Sequence, residues 1–294
     1  MIAAVTMARR LAALALLTLW SVTAGAAAPV WKVSDGDKHL FIGGTIHVLA
    51  AADYPLPPSF DSTYSQSELL VLEVDLHSAK GAGMAAFLGA GLLWPNGETL
   101  QQKVSADTWR QFEAAMQARS LPAATFNLYK PGGLIMALLP AELMRFGVGT
   151  AGVDSHYATR AGSDQKPVVG LETLDQQLDM IRGLGIGNED RFIRYFIRDL
   201  DNLQQQFEQM RSDWRRGDMQ ALAESANLDE MELEFPRIYQ AMLVQRNNAW
   251  MPKIKQMLET DEVELVLVGA LHLVGRHGVL QQLSAAGYQI QQFP

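Results

Sequence analysis

Residues 264–272 read Glu264-Leu265-Val266-Leu267-Val268-Gly269-Ala270-Leu271-His272. Four apolar residues in a row, two of them β-branched, describe a strand buried on both faces rather than an alternating surface strand. A glycine and a histidine close the run. The same order occurs near the start of the chain, where Phe41-Ile42-Gly43-Gly44-Thr45-Ile46 leads to His47. Two more apolar runs end on a carboxylate: Leu69-Leu70-Val71-Leu72 before Glu73, and Val168-Val169-Gly170-Leu171 before Glu172. In α/β sheets the carboxyl ends of the strands line the ligand crevice. If these four strands are parallel neighbours, two imidazoles and two carboxylates meet at one edge.

The rest of the chain is read outward from these runs. Asp35-Gly36 between two short apolar stretches predicts a β-hairpin. Residues 59–66 read as a short helix, 69–76 and 166–171 as strands, and 288–292 as a last strand after a helix at 278–286. Residues 84–143 and 173–258 are mostly helical in pattern, with breaks at Pro95, Pro122, Pro131, residues 183–187, Gly217 and Pro236. The expected fold is mixed α/β: a central sheet from N- and C-terminal strands, covered by a long helical middle. A single domain over 27–294, with a helical insert at about 84–250, is the simplest organisation.

Composition narrows the chemistry. The chain has 294 residues, 48% hydrophobic and 19% charged, the balance of a folded globular protein. It has no cysteine, which removes disulfides, thiolate metal sites and a cysteine nucleophile. A net charge of −8 with no basic block argues against nucleic acid as a partner. Arg9 and Arg10, an apolar stretch over 11–23 and Ala24-Gly25-Ala26 form the three parts of a secretory signal peptide over 1–26. The expected protein is therefore exported, periplasmic or secreted, with cleavage near Ala26 or Ala28 and no stable membrane span afterwards. Its oligomeric state is left open.

The two imidazoles and two carboxylates, His47, His272, Glu73 and Glu172, suit a divalent metal of borderline hardness, manganese, cobalt, zinc or iron, with an open position for water. The histidines could equally be satisfied core residues. Gly-x-x-His alone is a weak signal, and a third copy, Gly36-x-x-His39, falls on the hairpin turn. What distinguishes the other two is their shared strand context. Glu73, apolar on both sides, needs a partner if buried. Asp75 would share its face if the strand continues, as a second ligand or as a surface group. Glu172 could serve the site or only the helix that follows. Arg246, on a helix over 237–258, could bind a substrate carboxylate, steady an oxyanion or form a structural ion pair. Asn247 could donate to the same site or be exposed. Trp214 and Trp250 read as core anchors. His77, His277 and His156 read as surface groups, and Arg211, Arg215 and Arg216 as a solvated helix face.

Gly44-Thr45-Ile46-His47, Leu72-Glu73-Val74-Asp75 and Val268-Gly269-Ala270-Leu271-His272 resemble the TraB/GumN family. So do Gly152-Val153-Asp154, Gly170-Leu171-Glu172-Thr173 with Gln176-Gln177, Trp214-Arg215-Arg216-Gly217-Asp218 and Arg246-Asn247-Asn248-Ala249-Trp250. The pieces follow in order over nearly all of 27–294. Gly132-Gly133 after Pro131 departs from the pattern, where a bulky aromatic is expected. The family is similar to the Tiki proteins, metal-dependent proteases. The resemblance implies a centre of His47, Glu73 and His272 holding a divalent metal. Glu172 and Arg246 fall on family positions of less settled role. Three functions follow as expectations: a metal-dependent, peptidase-like hydrolase acting on a peptide or protein; a metal-independent His/Glu hydrolase; or an exported protein that binds a metal, haem or polymer without turnover.

Overall fold

A computed structural model describes residues 28–75, 91–149 and 151–294. Six strands form one mixed sheet: β1 (Val30–Asp35), β2 (Lys38–Thr45), β3 (Leu69–Leu72), β4 (Val168–Gly170), β5 (Glu264–Gly269) and β6 (Gln289–Gln292). Their order is β4-β3-β5-β2-β1-β6. β4, β3, β5 and β2 run parallel, and β1 is antiparallel to β2 and β6. The expected architecture is the one observed, with strands from both ends of the chain in one sheet. Gly36, the first of two residues between β1 and β2, takes φ +60°, which a side chain would resist and a tight hairpin requires.

The apolar runs sort by strand alternation onto the two faces. On one face Phe41, Leu70, Leu72, Leu265 and Leu267 pack with Phe60 and Tyr64 of α1 (Pro58–Gln66), with Trp214, and with Val153 and Tyr157. On the other, Ile42, Val71, Val266 and Val268 pack with Trp250, Met251, Ile254, Val279 and Leu283. Every residue of β5 is buried, as a central parallel strand requires. The edge strands β4 and β6 are short and partly exposed, which limits unwanted pairing.

The helical middle builds a further core of its own. α2 (Ala106–Ala118), α3 (Pro131–Arg145) and α6 (Glu189–Arg215) pack Phe112, Met116, Leu134, Leu138 and Ile193 together. Between α3 and α6 lie α4 (Val153–Asp164) and α5 (Leu174–Gly183). Next come α7 (Met219–Ser225) and α8 (Leu228–Glu234). Then Pro236–Tyr239 passes through a π-helical turn, Gln240–Val244, into α9 (Gln245–Met257), and α10 (Val279–Ala285) precedes β6. The breaks at Pro122, Pro131, Gly217 and Pro236 fall between helices as expected. No helix among the described residues is long and apolar enough to cross a membrane.

Two expectations need correction. The strand expected over 69–76 ends at Leu72, so Asp75 does not share a strand face with Glu73. Helix was expected from 84, but residues 91–105 are irregular with two 3-10 turns, Pro95–Gly97 and Leu100–Gln102, and α2 starts only at Ala106. Pro95 and Gly97, the latter at φ +74°, prevent a helix there. The signal-peptide stretch, His77 and residues 84–90 lie outside the described residues.

Glu264 opens β5 at the end of the sheet opposite the histidines. It is 2% exposed, and among the described residues its Oε2 has no hydrogen-bond partner. Burial pushes its carboxyl up to about 7, helped by the nearby charges of Glu262 and Glu68. A carboxyl raised on folding favours the folded chain only while protonated. Its penalty is therefore absent below the unfolded value near 4.5 and complete above about 7. Glu264→Gln is expected to stabilise the protein at pH 8 by about 1–3 kcal/mol and to change little at pH 4. Urea unfolding at the two pH values checks this, and an equal effect at both would contradict it.

Candidate active site

The four parallel strands deliver their terminal residues to one edge. β2 ends at Thr45, two residues before His47. β3 ends at Leu72, directly before Glu73. β4 ends two residues before Glu172, and β5 ends at Gly269, three before His272. The expected meeting of two imidazoles and two carboxylates at the carboxyl edge is what the topology produces, and Arg246 arrives from α9 to join them.

Each side chain is held by definite contacts. The Glu73 Oε1 accepts from the Gly269 N–H at 2.7 Å, and Oε2 from Arg246 Nη2 at 2.5 Å and Gln177 Nε2 at 3.4 Å. Arg246 also donates to Glu172 from Nε at 3.0 and 3.1 Å and from Nη2 at 2.6 Å. Its Nη1 reaches Met242 O in the π-turn at 3.3 Å and His272 Nε2 at 2.9 Å. All five guanidinium N–H groups thus have an acceptor, so none is left for a substrate. The guanidinium also lies 4.7 Å from the Trp250 ring.

Asn247 fixes His272. Its Nδ2 donates to His272 O at 3.2 Å and His277 O at 2.8 Å, leaving Oδ1 to accept from His272 Nδ1 at 2.6 Å. Arginine only donates, so His272 Nε2 is an acceptor and the ring is neutral. Burial, opposed by the Glu73 charge, takes its pKa down to about 3, which agrees with that hydrogen-bond pattern. The ring sits 4.4 Å from Trp250.

His47 differs. Its side chain is 61% exposed, against 6–11% for His272, Glu73, Glu172 and Arg246. Nδ1 bonds Asp154 Oδ2 at 2.9 Å, and the Thr45 hydroxyl donates to Asp154 Oδ1 at 2.8 Å. Asp154 lies in the first turn of α4, where a carboxylate is favoured. The Asp154 charge holds His47 well above the ordinary imidazole value, at about 9, with Glu73 adding to the effect. Nε2 then faces Glu73 Oε1 at 3.8 Å, over a cavity of about 330 Å³ walled also by Leu72, Val74, Ser155, Ala158 and Gln177. A larger cavity of about 520 Å³, between residues 183–188 and Phe235–Ile238, contains none of these groups.

The sequence model of the TraB/PrgY/gumN family matches residues 29–292. The chain belongs to the TraB/PrgY/gumN family. No curated protein and no solved structure matches it.

In this TraB/PrgY/gumN chain the short motifs acquire physical reasons. Gly152 is needed because a Cβ there would lie 2.2 Å from the carbonyl carbon of His47. At Gly269 a Cβ would stand 3.2 Å from both Glu73 Oε1 and His47 Nε2, so the glycine leaves open the space those groups surround. Trp214 is a core anchor whose indole N–H donates to Gly44 O at 2.7 Å. Gly132 and Gly133, unlike the expected aromatic, sit against the backbone: a Cβ on Gly132 would be 1.9 Å from Ile181 O. Arg215 and Arg216 are exposed as expected and Arg211 is half-buried, but Arg211 and Arg215 are also tied to the rest of the fold. They bind the Asp53 carboxylate and the carbonyls of Asp53 and Pro55, pinning the loop before α1. Asn247 is buried rather than exposed. His277 contributes only its carbonyl to the centre, and His156 is half-buried between the Tyr54 and Tyr157 rings. Asp154 and Gln177 join the site although no role was expected of either. Their only signal was membership of the Gly-Val-Asp and Gln-Gln pieces.

A metal held by His47, Glu73 and His272 does not fit this arrangement. Glu73 Oε1 stands 3.8 Å from both His47 Nε2 and His272 Nε2, and the His272 lone pair already accepts from Arg246. Among the described residues no group of three or more His, Asp or Glu is placed to hold an ion.

Proposed function

We propose that this TraB/PrgY/gumN family protein is a hydrolase of peptide or amide bonds that uses His47 as acid and Glu73 as base. The observation that carries the reading is the pair itself. His47 Nε2 and Glu73 Oε1 face each other at 3.8 Å beside an open cavity, with environments that drive their proton affinities apart. Burial alone pushes the Glu73 carboxyl up, yet the charges of His272, His47 and Arg246 and the Gly269 N–H bring it down to about 2. Arg246 and protonated His47 are the cations among these at neutral pH, where His272 is neutral. Two titratable groups pushed in opposite directions mark an acid and a base.

The chemistry follows from those states. A gap of 3.8 Å is too long for a hydrogen bond and suits a bridging water. Glu73 Oε1 accepts a proton as that water attacks the carbonyl carbon. His47 Nε2–H gives a proton to the leaving nitrogen as the C–N bond breaks. The products are a carboxylic acid and an amine, and the proton on Glu73 returns to His47 for the next turn. A carboxylate this acidic is a weak base, so it orients and polarises the water more than it abstracts. Arg246 and Glu172 are positioning residues. They hold Glu73 in place and leave the buried set of two carboxylates and one guanidinium with one negative charge, which protonated His47 balances.

The Tiki resemblance supports a metal-dependent form of the same hydrolysis, and the open cradle above Gly269 favours it. The Arg246–His272 contact opposes it. Export remains part of the proposal, supported by the pattern of residues 1–26. Retention of the chain in the cytoplasm of the expressing cell, with residue 1 intact, would remove it.

The test is a pH profile. Hydrolysis needs His47 protonated, so kcat is expected to hold through neutral pH and fall as pH rises through about 9. In Asp154→Asn the first-ranked cause of the raised value is gone, and the alkaline limb moves down toward 6.5. A limb unmoved by Asp154→Asn overturns the assignment of His47 as acid.

A further inference from the structure

We infer that Arg246 is the resident cation of this centre, and that it and a divalent metal exclude one another at His272 Nε2. The inference rests on the same centre as the proposed hydrolase. Its readout, bound metal, is separate from turnover.

Three observations carry it. The first is the tautomer of His272. Asn247 spends both amide hydrogens on carbonyls, so His272 must keep its proton on Nδ1 and present Nε2 as a lone pair. That lone pair is the atom a metal would need, and Arg246 Nη1 occupies it at 2.9 Å. One lone pair serves a proton donor or a metal, not both.

The second is how firmly the guanidinium is seated. It donates to two carboxylates, one carbonyl and one imidazole, and stacks near Trp250. Its side chain is 11% exposed, and the Glu73 and Glu172 side chains are each 7% exposed. Removing it would leave two buried carboxylates with only the exposed His47 as a cation, which is costly unless another cation replaces it. A divalent ion is such a replacement.

The third is spacing. Donors on one metal, at roughly 2.1 Å and near-tetrahedral angles, stand about 3.4 Å apart. Here both imidazole nitrogens are 3.8 Å from Glu73 Oε1, a set held open around Gly269 rather than drawn in. The geometry is that of a centre filled by its own arginine, with the ligand atoms of a metal site around it. A metal would reach His272 Nε2 only if Arg246 withdrew from that atom.

The experiment measures Zn²⁺ and Mn²⁺ binding by calorimetry in four proteins: the unchanged chain, Arg246→Met, Arg246→Met with Glu172→Gln, and Arg246→Met with His272→Ala. The Glu172 change restores the buried charge balance if the single variant folds poorly. The expected result is binding at least tenfold tighter in the Arg246 variants, lost again with His272→Ala. Equal or weaker binding in the folded Arg246 variants overturns the inference. A second measurement needs no variant. In protein labelled with ¹⁵N-histidine, one equivalent of Zn²⁺ is expected to leave the His272 Nε2 signal at its hydrogen-bond-acceptor position. A shift of that nitrogen to a metal-bound position at one equivalent overturns the inference.

Discussion

Glu73→Gln is expected to lower hydrolytic turnover about 10³-fold, within the range measured when an enzyme loses a positioned general base. Gln keeps the shape of Glu, and its carbonyl oxygen can still accept from the Gly269 N–H. It loses the charge, and its NH2 then faces Arg246 Nη2, donor against donor. Arg246 would retain Glu172 and His272, so the guanidinium stays paired and the fold survives. The effect should fall on kcat more than on KM, because the missing charge acts on the attacking water rather than on bound substrate. Circular dichroism and thermal unfolding separate lost chemistry from lost structure. Turnover within a few-fold of the parent, in a folded variant, would remove Glu73 from the mechanism.

Gly152→Ala is expected to be the most damaging of the small substitutions at this edge. Its Cβ would fall 2.2 Å from the His47 carbonyl carbon and 2.3 Å from the carbonyl oxygens of Ile46 and His47. These are backbone atoms next to a buried strand, which cannot swing aside as a side-chain tip can. The backbone at Gly152 is extended, with φ −112° and ψ −168°, so the damage is steric and not conformational. Overpacking of this kind costs about 1–3 kcal/mol, sometimes more, and about 3 kcal/mol corresponds to roughly 6–12 °C of melting temperature in a chain of this size. The shift also pries His47 from Asp154, which α4 carries two residues later. Activity should therefore fall further than stability predicts. Gly183→Ala is the control, since nothing lies within 4 Å of its added Cβ. Equal melting temperatures for the two variants would show that the close approach at Gly152 relaxes without cost.

The parallel core was legible because its strands are buried on both faces, which removes the alternation that marks a surface strand. Leu265 to Val268 and Leu69 to Leu72 could hardly be anything else once glycine or a carboxylate closed each run. The same closure placed His47, Glu73, Glu172 and His272 at one edge, since parallel strands end together. Other parts were not legible for stated reasons. Apolar character resumes at Val74 after Glu73, so the pattern allows β3 to run on through the carboxylate, and the expected strand was too long. Asp154 is 107 residues from His47, and only the packing of α4 on the end of β2 makes them partners. Arg246 could be marked as a site residue. That all its donors are satisfied, and that one of them covers His272 Nε2, depends on a π-turn and an asparagine orientation that no spacing encodes. The contacts of Arg211 and Arg215 were not legible because the loop they hold lies about 160 residues earlier.

Hydrolysis by the His47–Glu73 pair is open to direct test. The most direct measurement incubates the purified protein with a diverse peptide library and maps new termini by mass spectrometry. Glu73→Gln and His47→Ala proteins, each shown to be folded, run in parallel. Cleavage at reproducible positions is expected from the parent protein and its loss in both variants. No cleavage by the parent, or cleavage that persists in both variants, would contradict it.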